Sequence, residues 1–391
     1  MKPAGRSGRW AAGLLVLCQA IATLVAGALV VAPAAAKGED AGLFDVGDEL
    51  PVVLQFPVKQ LLRDRHEREE VAGTLHYQDK DGRKGSLPVT VRTRGHTRLE
   101  ICDFPPLGLE FDPSDTDGTP FAGQRRLKMV TQCRQDRHYD DYVRLERLIY
   151  VAYGLLTPVA LRTRPLSVTF VDSAERMSPL SGVAFLIEDI DDLARRVGRR
   201  EAKMTELLPE DVDPAQTVLF ELFQFMIGNT DWSVHVPSTG DDECCHNARV
   251  LRPAKGADGK LVVVPYDFDN AGLIDAEYAA VNPVVGMRRV RQRIYRGLCV
   301  RNEYVPGAIA RFQGVRPDME SLFEADDLGR AISHRAARYV RSFYRILDDP
   351  EEVRARIYDY CRDEPEAGSP DTAAGIVTPA STVVSMRGRL P

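Results

Sequence analysis

Two strongly apolar segments in the middle of the chain are each followed by a polar loop. Residues 217–227 have the pattern of a buried helix, and the Gly228-Asn229 pair directly after them commonly ends helices. The Asp213-Pro214 pair just before them has the character of an N-cap and a first helical residue. Residues 260–265 form a Val-rich run, which predicts a buried strand. The chain must therefore bury a helix and a strand that both end in polar loops.

The two polar loops carry the side chains of a phosphoryl-transfer site. Asp231 and Asn247 lie near the two ends of the first loop, and Asp267 and Asp269 follow the second apolar segment. One carboxylate would orient or deprotonate the attacking group, while an amide oxygen and further carboxylates would hold Mg²⁺ or Mn²⁺ on the phosphates. Each of these residues alone is also a common turn former, so the prediction depends on their joint pattern.

The first 36 residues have the features of an export signal. Lys2, Arg6 and Arg9 precede an uncharged segment, residues 10–36, that ends in small residues. The segment is long for a signal peptide, so an uncleaved membrane anchor is the alternative. Removing three basic and no acidic residues lowers the formal net charge from −6 to −9. This acidic balance argues against nucleic acid as the partner and leaves a protein or another envelope component as the expected substrate.

Six cysteines follow the signal, an even number that favours disulfide bonds in an exported chain. Cys102 and Cys133 flank consecutive strand-like segments, which predicts that they pair with each other. The adjacent Cys244-Cys245 pair is expected to reach outward to Cys299 and Cys361 rather than to close on itself.

Strand patterns dominate the first half of the chain and helix patterns the second. Predicted strands cover residues 74–77, 87–94, 106–111, 126–131, 166–171 and 182–187, with a hairpin turn at Asp81-Gly82. Predicted helices cover 140–156, 213–227, 290–295, 318–322, 328–347 and 350–361, and the polar tail 364–391 is expected to be disordered. This order predicts an α+β protein with a β-rich N-lobe, residues 37–205, and a mainly helical C-lobe, residues 206–363. It matches a two-lobed, protein-kinase-like fold with nucleotide between the lobes.

A succession of short motifs between about residue 70 and about residue 275 resembles one protein family. The motifs are Arg94-Gly95, Leu127-Lys128-Met129, residues 182–188, Asn229-Thr230-Asp231-Trp232, His246-Asn247 and Pro265-Tyr266-Asp267-Phe268-Asp269. Together they resemble the CotH-type spore-coat kinases, which are atypical exported or surface protein kinases with a reduced kinase fold. The resemblance implies that Asp231 is the catalytic aspartate and that Asn247 and Asp267 hold the metal, with Asp269 as a second carboxylate ligand.

The resemblance also implies a binding site for ATP. Lys128 would meet the nucleotide phosphates, Glu146 would orient Lys128 through an ion pair, and Glu188 would end the strand that leads into the hinge between the lobes. The sequence departs from the family after Arg94-Gly95, where the family usually has lysines and this chain has Thr97-Arg98. The chain also lacks a Gly-rich phosphate loop.

The sequence thus favours an exported phosphotransferase that depends on ATP and a divalent metal. Two alternatives remain open at this point. One is a catalytically silent binding module of the cell envelope, which the departure after Gly95 favours. The other is a metal-dependent hydrolase that uses Asp231, Asp267 and Asp269 on a phosphate ester. An arginine-rich run, residues 288–296, is interpreted as a solvated helix face, with a phosphate-facing role as the alternative.

Overall fold

Alternating apolar residues shape the strands of the N-terminal half. The computed structural model describes residues 42–235, 244–324 and 328–363, and within them seven strands close into one barrel. The barrel strands are β1 (Leu50–Phe56), β2 (Val71–Gln78), β3 (Lys84–Thr93), β4 (Leu107–Glu110), β5 (Arg126–Thr131), β6 (Thr163–Asp172) and β7 (Leu180–Ile187). In β1 buried and exposed residues alternate along the whole strand, as expected when one face points into a core. The hairpin and the strand at 126–131 agree with the sequence prediction.

The barrel closes between its first strand and its sixth. Strand β1 pairs antiparallel with β2 and parallel with β6, where Leu50 lies opposite Leu166. Leu54, Phe56 and Leu107 are fully buried in the interior. The prediction of a two-lobed, protein-kinase-like fold is therefore wrong, although the α+β class is correct. The order of strands and helices along a chain does not determine which strands pair, and here a long-range parallel pair turns the sheet into a closed barrel.

Helices form most of the second half. They are α1 (Val58–Arg63), α2 (Thr97–Ile101), α3 (Pro113–Thr116), α4 (Arg137–Leu156), α5 (Ile190–Arg196), α6 (Pro214–Ile227), α7 (Val305–Gly314), α8 (Arg316–Leu322), α9 (Arg330–Leu347) and α10 (Pro350–Val353). Short 3₁₀ turns cover Pro283–Val285 and Cys299–Tyr304, and a π turn covers Arg354–Tyr358. The predicted helix at 290–295 is absent, and the one predicted at 350–361 is split into α10 and the π turn. No helix of the described ranges is long and apolar enough to cross a bilayer.

Helix α6 is buried on every side from Thr217 to Ile227 and sets the position of the first polar loop. The side chain of Asp213 accepts a hydrogen bond from the amide of Gln216, which caps the helix as predicted. At the other end Gly228 adopts a left-handed conformation, with φ of 66°, and stops the helix. The loop that contains Asp231 therefore begins at a fixed point in the core.

A second sheet has the order β10-β9-β8, formed by β10 (Val262–Pro265), β9 (Ala248–Pro253) and β8 (Arg199–Glu201). Strands β9 and β10 are antiparallel, and Ala248 lies opposite Pro265. The start of β9 therefore meets the end of β10, and the amide of Tyr266 donates to the carbonyl of Asn247 at 3.1 Å. This register brings the two predicted polar loops together.

Three disulfide bonds link the cysteines of the described residues. Cys102 pairs with Cys133, which confirms the prediction. Cys244 pairs with Cys245, and Cys299 pairs with Cys361, so the pairing predicted for these four is wrong. The reason is backbone pairing: a bridge between Leu298 and Arg362 sets Cys299 beside Cys361, while Cys244 is held by its own bridge to Met204. The predicted signal (residues 1–36) and tail (364–391) lie outside the described residues.

Candidate functional site

The loop that follows α6 holds Asp231 in a defined position. The side chain of Asn229 accepts from the amide of Asp231 at 2.9 Å. Arg296 donates to the carbonyls of Thr230 at 2.8 Å and Trp232 at 2.5 Å, on both sides of Asp231. Arg296 belongs to the arginine-rich run, so this member of the run is a buried structural residue rather than part of a solvated helix face. The Asp231 carboxylate is thus presented by a loop with a fixed backbone.

Asp231, His246 and Asn247 form one hydrogen-bonded group. Asp231 Oδ1 lies 3.0 Å from His246 Nε2, and Asn247 Nδ2 donates to Asp231 Oδ2 at 3.1 Å and to the Asp231 carbonyl at 2.8 Å. Burial alone would lower the pKa of His246, but the hydrogen bond and charge of Asp231 outweigh it and raise this pKa. The sequence prediction gave His246 no catalytic role, although its place directly before Asn247 was a usable signal. A carboxylate with an attached imidazole can hold a hydroxyl group and accept its proton.

Asp267 and Asp269 meet Glu146 at a single guanidinium. Arg98 Nη2 lies 3.0 Å from Asp267, Arg98 Nε lies 3.0 Å from Asp269, and Arg98 Nη1 lies 3.0 Å from Glu146. Burial would raise the pKa of Asp267, but Arg98 and Arg94 outweigh it and lower this pKa, whereas burial keeps the pKa of Asp269 well above its ordinary value. Sequence reasoning missed Arg98 as a site residue, because the pattern shows only that an arginine follows Thr97.

Three cationic side chains lie close to the ring of Tyr266. Lys128 Nζ lies 4.1 Å from the ring centroid, and the guanidinium carbons of Arg249 and Arg94 lie at 5.4 and 5.9 Å. Arg94 also donates to the Tyr266 hydroxyl. Burial would raise the pKa of Tyr266, yet Arg94 and Lys128 lower it below its ordinary value. We call Arg94, Lys128 and Arg249 the cationic cluster.

The cationic cluster lines a cavity of 360 Å³. Five acidic residues also line this cavity: Glu70 pairs with Arg92, Asp189 and Asp191 pair with Arg126, and Glu110 and Glu201 complete the acidic lining. Burial lowers the pKa of Lys128, and the charges of Arg94 and Arg249 act in the same direction. Bringing several cations to one partly buried place is unfavourable unless an anion joins them, so the cluster is suited to a phosphate group.

Two predicted site residues have ion-pair partners that the sequence prediction did not give them. Glu146 forms its ion pair with Arg98 and not with Lys128. Glu188 binds Arg196 through both carboxylate oxygens, at 2.9 and 2.8 Å, and accepts from the Arg162 amide at 3.0 Å. Glu188 therefore ties α5 to the end of β7, and its carboxylate has no oxygen left over for a ligand in this arrangement.

Two of the predicted metal ligands have an uncommon backbone conformation, which Arg68, Glu175 and Asp275 share within the described ranges. Asn247 and Asp267 both adopt left-handed backbone conformations, with φ of 48° and 59°, which residues other than glycine rarely adopt. The amide of Asp267 donates to the hydroxyl of Tyr150 at 3.1 Å, which helps to hold this conformation. Such conformations are typical of functional sites, where the surrounding structure compensates for the strain.

The expected divalent metal does not fit the ligand arrangement. Asp267, Asp269 and Glu146 face three separate nitrogens of Arg98 instead of one common point, and the Asn247 amide nitrogen is directed at Asp231. Within the described ranges no group of three or more His, Cys, Asp or Glu residues is disposed to hold a metal ion. No step of a reaction is therefore assigned to a metal here.

The candidate site thus consists of two adjoining parts, joined by the consecutive residues Tyr266 and Asp267. Tyr266 faces the cationic cluster, and Asp267 faces Arg98 with the Asp231–His246–Asn247 group alongside.

No protein-family model, curated protein or solved structure matches this chain significantly.

Proposed function

We propose that this chain is an exported phosphotransferase that moves a phosphoryl group from a nucleotide, ATP being the expected donor, to a hydroxyl group of a protein or another envelope component. One observation carries the proposal: the partly buried cationic cluster contacts Tyr266, and the next residue, Asp267, lies close enough to the carboxylate–imidazole pair for its charge to act on His246. The three disulfide bonds are typical of exported proteins. The motif resemblance to the CotH-type kinases supports the same activity, without the two-lobed kinase fold.

The residues divide the reaction between them. The cationic cluster would neutralise the phosphate oxygens of the donor, whose negative charge is spread in the transition state. Asp231 would hold the acceptor hydroxyl and take its proton, while the His246 hydrogen bond fixes the orientation of the carboxylate. A bond forms between the acceptor oxygen and the terminal phosphorus, and the bond from this phosphorus to the diphosphate leaving group breaks.

The test separates binding from transfer. Full-length protein with intact disulfides is titrated with ATP in a thermal-shift assay, and transfer of labelled phosphate to envelope fractions is measured in parallel. We expect Lys128→Met and Arg249→Met to lose the ATP-dependent rise in melting temperature. Asp231→Asn should keep that rise and lose transfer, and the exposed control Lys80→Met should keep both. Transfer at wild-type rates by folded Asp231→Asn protein would refute the assignment.

A catalytically silent binding module is the second candidate, and the Arg98 contacts favour it. Both carboxylates that follow β10 form ion pairs with an internal arginine, as in a site that binds without turning over. A folded wild-type protein that binds ATP through the cationic cluster but transfers no phosphate to any fraction would identify this module. A folded protein that shows no binding of ATP at all would exclude the phosphotransferase.

A further inference from the structure

Three carboxylates from separate parts of the fold converge on Arg98. Glu146 comes from the middle of α4, while Asp267 and Asp269 come from the turn after β10. Arg98 itself lies on α2, in the connection between barrel strands β3 and β4. Its side chain is only 9% exposed, and each of the three ion pairs measures 3.0 Å. The barrel thus supplies the cation, and the helical half supplies most of the negative charge.

We propose that Arg98 is the resident cation of this carboxylate group and keeps divalent metal ions out of it. The inference does not depend on the proposed phosphotransfer, because it concerns the binding of metal alone. If phosphotransfer does take place, the inference adds that it proceeds without a metal held by these carboxylates.

The geometry of a guanidinium differs from that of a metal ion. Arg98 uses two edges of its planar guanidinium: Nε and Nη2 bind Asp269 and Asp267 side by side, and Nη1 binds Glu146 on the adjoining edge. Mg²⁺ draws its oxygens to about 2.0–2.1 Å from one point in octahedral geometry. The observed arrangement is adapted to the wide, flat cation and would have to contract to hold the small one.

Arg98 is also anchored so that it does not leave easily. The carbonyl of Arg98 accepts from the amide of Cys102 at 3.1 Å, and Cys102 is joined by its disulfide to Cys133, just before α4. The same covalent link therefore ties α2 to the helix that carries Glu146. The backbone that carries Arg98 is therefore fixed at the C-terminal end of α2, next to the disulfide bond.

The charges around the carboxylates act in the same direction. Arg94 and His246 also favour the charged form of Asp267, so Arg98 is not its sole source of positive potential. A divalent ion entering the intact site would therefore meet carboxylates whose negative charge Arg98 already compensates in part, together with repulsion from two arginines.

The experiment uses Mn²⁺ alone, without nucleotide, on the full-length chain. Mn²⁺ binding is measured by isothermal titration and by the melting temperature for wild type, Arg98→Met, Arg98→Lys and Arg338→Met, an exposed arginine control. We expect wild type, Arg98→Lys and Arg338→Met to show no saturable binding. Arg98→Met should bind one Mn²⁺ at least about tenfold more tightly than wild type and gain melting temperature from it. Adding Asp267→Asn to Arg98→Met should abolish this gain.

Several results would overturn the inference. Saturable Mn²⁺ binding by wild type that Asp267→Asn removes would show that Arg98 does not exclude the metal. Folded Arg98→Met protein that gains no Mn²⁺ affinity would show that the three carboxylates do not bind a metal ion even without Arg98. If circular dichroism shows that Arg98→Met is unfolded in the absence of metal, refolding by Mn²⁺ supports the inference, and failure to refold at saturating Mn²⁺ contradicts it.

Discussion

The buried ion pair between Glu221 and Arg301 makes the stability of this protein depend on pH near neutrality. Glu221 lies in the middle of α6, and its side chain is 2% exposed. Arg301 Nη1 donates to it at 2.6 Å. Burial raises the pKa of Glu221 from its ordinary value of 4.5 to about 7, and Arg301 opposes the increase without cancelling it. The perturbation that tests this is Glu221→Gln, which keeps the size of the side chain and removes its titration.

Proton linkage gives the sign and the size of the expected change in stability with pH. The folded state binds the Glu221 proton more tightly than the unfolded state, so this group's contribution to stability is fully present below pH 4.5 and is lost as the pH rises through 7. Each pH unit inside that window corresponds to about 1.4 kcal/mol, so the free energy of unfolding should fall by about 3 kcal/mol across it. Relative to wild type, Glu221→Gln should therefore gain about 2 kcal/mol of stability between pH 5 and pH 7, and the rest of the difference falls outside this interval.

Urea unfolding under non-oxidising and non-reducing conditions at pH 5, 6, 7 and 8 measures the effect. The control is Glu69→Gln, an exposed carboxyl whose curve should run parallel to that of wild type at every pH. The informative quantity is the difference in the free energy of unfolding between Glu221→Gln and wild type, because the contributions of the other titrating groups cancel in this difference. Parallel curves for Glu221→Gln and wild type between pH 5 and pH 7 would refute the reasoning.

Three further predictions concern the covalent link, a close backbone approach and the loop that holds Asp231. Replacing Cys102 and Cys133 together by Ser should lower the free energy of unfolding by about 4 kcal/mol in urea, because the bond closes a loop with a sequence separation of 31. Gly272→Ala should lower the free energy of unfolding by about 1–3 kcal/mol, because a Cβ there would lie 2.5 Å from the carbonyl oxygen of Val290. A variant whose urea midpoint equals that of wild type would contradict this close approach. Arg296→Met should lower the free energy of unfolding by about 1–3 kcal/mol, because the carbonyls of Thr230 and Trp232 lose the hydrogen bonds from Arg296. The variant should also transfer less phosphate, because the loop that holds Asp231 is loosened, while its ATP-dependent thermal shift persists.

Local patterns predicted the local parts of this structure well. The cap at Asp213, the stop at Gly228 and the strand at 126–131 all depend on residues close in sequence, and all three are present. The sequence also indicated that the loops carrying Asn247 and Asp267 come together, because each loop follows a predicted buried element, although strand β9 was not predicted. Their roles remain predictions, since proximity alone does not define a reaction.

Long-range pairing could not be predicted from the same patterns. Nothing in the local sequence of β1 specifies a parallel partner as distant as β6, so the closed barrel was missed. The partner of Glu146 was missed for the same reason: Lys128 and Arg98 are both cations ahead of α4, and only the fold decides which of them reaches the carboxylate. The vicinal disulfide was missed because the sequence does not reveal the backbone bridges that separate Cys244 from the other cysteines.

The parallel pairing of β1 with β6 has a consequence for the timing of folding. Leu50 is synthesised early, but its partner Leu166 emerges only after β2 to β5 and all of α4. Until then, one edge of β1 has no strand to pair with, and closure must wait for a contact of large sequence separation. We expect the hairpin of β2 and β3 to form first and barrel closure to limit the folding rate. During synthesis the nascent chain therefore exposes an open strand edge for longest at β1, which is where a chaperone that recognises extended segments would act.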